Sequence, residues 1–139
     1  MQIHKRISIY YTFLLCLSLL FVSMGCKSTS KISNNKEQAL FDTFDSMISL
    51  LGKKKYVDLI SNYAHPERLK RMKEDDPTLE KIAEKFNSDG SADELMGALK
   101  KCKDLKPTWN EDKTKATFEH SDFPRDVDMV YINGRWYLN

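Results

Sequence analysis

A chain of 139 residues with 22 Lys and Arg, 20 Asp and Glu and three cysteines is long enough for one domain with short extras. Lys5 and Arg6 are the only charged residues before Cys26, so the rest of the chain is balanced, 20 basic against 20 acidic. That balance argues against nucleic-acid binding, which needs a basic excess on the folded part, and the cysteine spacing offers neither a disulfide framework nor a zinc site.

The first segment, 1–25, has the order of a secretory signal peptide: a basic start, Lys5-Arg6, then Ile7 to Met24 without a charge, then a small residue, Gly25. The positive end stays on the cytosolic side while the apolar stretch partitions into the bilayer. Cys16 falls inside this leader, Cys26 at its edge and Cys102 deep in the chain.

The junction Ser23-Met24-Gly25-Cys26 resembles the lipobox of bacterial lipoproteins. Gly25 and Cys26 match that pattern, whereas Ser23 and Met24 stand where Leu and a small or branched residue are usual. The resemblance implies cleavage before Cys26 and lipidation of Cys26, with a palmitate-type anchor holding the domain on the extracytoplasmic side of the cell envelope. Two or more acyl chains anchor stably where one does not. Two other readings stay open: an uncleaved span, since about 18 apolar residues suffice to cross a bilayer, and an ordinary secretory peptide that leaves Cys26 free. The lipidated N-terminus and a small polar tether occupy 26–35, leaving 36–139 for a single α+β domain.

Within that domain the spacing predicts several N-terminal helices packed on a small C-terminal antiparallel sheet of about four strands. Asn34 or Asn35 caps a helix from near Lys36, with Leu40, Phe44, Met47, Ile48 and Leu51 on one stripe and Gly52 as its C-cap. A second helix from about Lys54 carries Tyr56, Ile60 and Tyr63 and stops at His65, because Pro66 pushes its predecessor out of the helical region. Pro66 opens the next turn, with Leu69 and Met72. Asp76-Pro77 reads as a cap followed by a first-turn proline, leading Leu79, Ile82, Ala83 and Phe86. Ser91 and Glu94 form a capping box for a helix presenting Leu95, Leu99 and Cys102. Lys100, Lys101 and Lys103 would lower a thiol's pKa, but the place of Cys102 on the apolar stripe favours a buried hydrophobe.

After Pro107 the pattern becomes strand-like. Two short segments flank Asn110-Glu111-Asp112-Lys113 as a hairpin. Asn133-Gly134 is the favoured pair for a type I′ turn and sets Ile132 against Arg135, Tyr131 against Trp136, Val130 against Tyr137 and Met129 against Leu138. Met129, Tyr131, Trp136 and Leu138 then share one face, and Val130, Ile132 and Tyr137 the other. Both are too apolar for full solvation, so one covers the helices and the other lines a groove, meets a protein partner or a second copy, or takes part in a curled sheet.

Tyr56 to Tyr63 followed by His65-Pro66-Glu67, Asn110-Glu111-Asp112 before a strand, and the closing Ile132-Asn-Gly-Arg-Trp-Tyr-Leu138 together resemble small bacterial lipoproteins with a reduced NTF2-like (cystatin-like α+β) domain. That resemblance implies helices in the concavity of a curved sheet. The role expected is a binding or structural module. The alternative is an envelope enzyme or small-ligand carrier whose pocket would involve Trp109, Tyr131 and Trp136.

Other chemistry is thin. Ser121, His120 and Asp122 are sequence neighbours, whereas a triad is defined by three-dimensional geometry. His65 reads as a cap. An EF-hand loop with Gly90 at its sixth position would start at Lys85, a cation where a carboxylate is needed. Lys53–Lys55 and Lys100–Lys103 read as solvated faces that could also touch anionic headgroups. No catalytic residue, metal ligand or cofactor is expected, and the small-molecule ligand is left unidentified.

Overall fold

The computed structural model describes residues 29–139, with side chains from Asn35 onward; the expected leader and Cys26 lie outside the described residues. Five helices, α1 (Thr29–Gly52), α2 (Tyr56–Tyr63), α3 (Pro66–Asp75), α4 (Glu80–Ser88) and α5 (Ser91–Cys102), precede four strands, β1 (Thr108–Trp109), β2 (Lys115–Phe118), β3 (Val127–Ile132) and β4 (Arg135–Leu138). The α+β architecture, helices first and antiparallel strands last, is the one the residue pattern predicts. The strands form a meander in the order β1-β2-β3-β4. Among the described residues no helix is long and apolar enough to cross a membrane.

The expected apolar stripe organises α1. Leu40, Phe44, Met47 and Leu51 are buried completely or nearly so, at spacings of four, three and four that align them on one face. They press on the sheet, where Phe44 meets Phe118 edge to face with ring centroids 5.3 Å apart. From α5, Leu99 and Cys102 join the same core. Each such side chain taken out of water contributes about 1.5–3 kcal/mol. A smaller cluster of Ile60, Leu79 and Ala83 lies apart, under Leu69 and Met72.

Several helix ends differ from expectation. The first helix starts at Thr29 rather than near Lys36, since adding turns to an existing helix avoids a new nucleation cost. Its end is a Schellman motif in which Lys55 N–H donates to the Leu50 carbonyl (2.9 Å) and Lys54 N–H to that of Leu51 (3.0 Å). The left-handed residue there is Lys54, φ 56°, so Gly52 is inside the helix and not its cap. At α4 the helix begins at Glu80, after Leu79 at φ 63°, and not at Pro77. Asp76 nevertheless caps it from upstream, its carboxylate accepting the N–H groups of Lys81 (2.8 Å) and Ile82 (3.4 Å). Ser91 does not form the expected box: Gly90 at φ 84° is the N-cap of α5, and Ser91 donates its own N–H to Asp89 at 3.0 Å.

The α2–α3 corner follows the proline logic. Ala64 leaves the helix in an extended conformation, and His65 Nδ1 accepts the N–H of Glu67 ahead of Pro66. This corner docks on the end of the sheet, where His65 N–H donates to the Leu138 carbonyl at 3.0 Å.

In the sheet, all four pairs predicted for the last hairpin occur in the expected register, with Asn133 at φ 49° and Gly134 at φ 86° as a type I′ turn requires. The first hairpin is held by Asn110, whose Oδ1 accepts the N–H groups of Thr114 and Lys115, each at 2.8 Å. Burial settles the faces: Ala116, Phe118, Val127, Met129 and Trp136 turn into the core, while Val130, Ile132 and Tyr137 are half-buried on the far side.

Candidate functional site

The three aromatic residues singled out from the sequence come together. Trp109 and Trp136 lie with ring centroids 5.8 Å apart and Tyr131 and Trp136 with centroids 5.1 Å apart. They are brought together because Tyr131 pairs with Trp136 across β3 and β4 and all three point to the core side. Lys36 of α1 closes over them: the Trp136 indole N–H donates to its carbonyl at 3.0 Å, and its ammonium sits 5.1 Å from the Tyr131 ring centre. Trp136 is only 2% exposed. The rings therefore pack against one another and tie α1 to the sheet through a satisfied polar atom.

A different set of residues surrounds open space. An apolar chamber of about 170 Å³ lies among Met47 of α1, Leu59, Ile60 and Tyr63 of α2, Met72 of α3, Ile82 and Phe86 of α4, Leu95 of α5 and Leu138 of β4, with Ala64, Arg68 and Arg125 completing its wall. It shares Phe86, Leu95, Arg125 and Leu138 with an outer cleft of about 360 Å³. The outer cleft is more polar, adding Ser91, Glu94, Asp126 and Asn139. Chamber and cleft thus adjoin along a common wall between the helices and β4.

The chamber exists because α3 supplies too little bulk. No residue of that helix is buried; Leu69 and Met72 only lean on the smaller cluster. No local signal in the sequence marks the site, since its walls come from five helices, the end of β4 and the connection carrying Arg125. What the sequence did offer was the poverty of apolar residues in "PERLKRMKED".

The remaining polar candidates have local structural partners. His120 Nδ1 accepts the N–H of Asp122 at 3.1 Å, and Ser121 Oγ donates to Asp122 at 3.4 Å, so the hydroxyl is turned to the carboxylate and not to the imidazole. The Lys101 ammonium, hydrogen-bonded and paired with Asp122, holds that carboxyl below its ordinary value. Cys102 is fully buried, and desolvation pushes its thiol up to about 12, which keeps it protonated and a poor nucleophile. Asp76 is the one charged side chain buried among the described residues. Its desolvation favours the neutral form, but hydrogen bonds from the Thr78 hydroxyl and from the N–H groups of Ile82, Lys81 and Thr78 outweigh this and lower its pKa. Among the described residues no three His, Cys, Asp or Glu side chains converge as a metal ion would require. No family model, curated protein or solved structure matches the chain.

Proposed function

We propose that this chain is a lipoprotein of the bacterial cell envelope, anchored through acylated Cys26, whose folded domain is a binding or structural module on the extracytoplasmic side. The observation that carries this reading is the succession of Lys5-Arg6, the uncharged run Ile7 to Met24, and Gly25-Cys26, which joins a translocation signal to an acylation motif. The far face of the sheet, with Val130, Ile132 and Tyr137 half-buried, is the surface such a module offers to a protein partner or a second copy. We further propose that the domain is a reduced version of the NTF2-like (cystatin-like α+β) fold.

Fractionation of cells expressing the whole chain tests the anchor. The wild-type protein should sediment with membranes and be released by detergent but not by salt, and Cys26→Ser should appear in the soluble extracytoplasmic fraction. A Cys26→Ser protein that stays in the membrane would refute lipidation and favour an uncleaved leader.

A second reading is supported by the chamber beneath α3: the module carries a small ligand. It places the ligand away from Trp109, Tyr131 and Trp136, because those rings fill the space between them while the chamber does not.

A further inference from the structure

The chamber's lining has an uneven chemistry. Of its charged residues there are two, Arg68 and Arg125, and both are cations; every other lining residue is apolar save the Tyr63 hydroxyl. Among the described residues neither guanidinium has a hydrogen-bond or ion-pair partner. An exposed arginine needs no partner, but two unpaired ones border the same apolar chamber, a composition suited to an anion with an apolar body. A guanidinium presents paired N–H donors that fit a carboxylate.

We infer that the chamber binds a small organic carboxylate whose apolar part is about the size of an aromatic ring. Volume sets the size: a dry apolar cavity of about 150 Å³ is enough to hold benzene, and this chamber has about 170 Å³. The head group is placed by Arg125, which borders both the chamber and the outer cleft. Glu94 and Asp126 line only the outer cleft. Their charge disfavours an anion lodged farther out, so the carboxylate sits at the inner boundary, beside the arginines, with its ring toward Met47 and Met72. A long acyl chain does not fit this volume. This deepens the ligand-carrier reading and rests on it, while being independent of the lipid anchor.

The test uses the full chain in phosphatidylcholine nanodiscs, with ¹³C-labelled methionine methyl groups and phenylacetate as the probe. Met47 and Met72 line the chamber, and Met129 in the sealed core is the internal control. Phenylacetate should shift the Met47 and Met72 signals saturably and leave Met129 in place. The neutral analogue 2-phenylethanol should bind at least tenfold more weakly, and Arg68→Gln or Arg125→Gln should each weaken phenylacetate by about tenfold, the scale of one charge-assisted hydrogen bond. Both arginines are exposed, so these variants fold. Equal binding of the alcohol, undiminished binding by both variants, or no saturable shift at millimolar phenylacetate would overturn the inference. The chamber and the anchor fail separately: phenylacetate binding to the Cys26→Ser chain tests the chamber alone, and acyl mass on Cys26 of the wild-type chain tests the anchor alone.

Discussion

Helices α1 and α3 are both amphipathic, yet α1 buries Leu40, Phe44, Met47 and Leu51 almost completely while α3 buries no residue. The first faces a sheet whose inner side offers Phe118, Met129 and Trp136, where large side chains interdigitate, and its Met47 also borders the chamber. The second carries only Leu69 and Met72 toward its neighbours and otherwise presents charge. One side of the domain is a solid core that fixes the fold. The other is a loosely roofed chamber, and it is the side with open space.

Truncation should break the comparison most sharply. Phe44→Ala opens a hole in the closed packing against Phe118 and should cost about 3–5 kcal/mol, read by urea denaturation. Met72→Ala only widens space already present and should cost less than about 2 kcal/mol. Similar losses at the two sites would mean that the two halves are packed alike.

A smaller effect concerns acid. Asp76 ties the start of α4, on the chamber side, to the turn before it. Because its pKa is lowered in the folded state from an ordinary value near 3.8, its stabilising contribution is present above that value. It is lost as pH falls through the lowered folded value. Asp76→Asn should therefore flatten the acid limb of the stability profile below about pH 4, and an unchanged slope would remove Asp76 from it. Asp89 and Asp122 are lowered too, the first by its hydrogen bonds to Ser91 and the second by Lys101, so the variant's difference from wild type is the readout.

The smallest effect is a gain. Lys54 holds φ 56° at the end of α1, a conformation that costs a side-chain-bearing residue about 1 kcal/mol. Lys54→Gly should raise stability by about 0.5 kcal/mol after the greater chain entropy of glycine is deducted. A loss would show that the lysine side chain contributes something the Schellman geometry does not reveal.

These particulars also explain what the residues announced and what they concealed. The last hairpin was legible to the residue because Asn133-Gly134 admits one turn and the turn sets the register. The faces of α1 and α5 were legible from spacing alone. The start of α4 was not: Asp76 reaches N–H groups five and six residues onward, so a capping side chain was visible but its distance from the helix was not. Gly52 misled because a helix end needs one left-handed residue and Lys54 took that role. Pairing across the last hairpin placed Tyr131 beside Trp136, but it did not reach Trp109 and cannot tell a filled cluster from an open pocket; that depends on α1, which closes over the rings. The chamber had no sequence signature, being an absence of bulk bounded by residues scattered from Met47 to Leu138.

The anchor is the central claim, and intact mass spectrometry of the membrane-extracted protein tests it most directly. The account predicts a polypeptide that begins at Cys26 and carries the added mass of acyl chains on that residue, with Cys26→Ser lacking both. A membrane-bound species that retains Met1 and no acyl mass would contradict it.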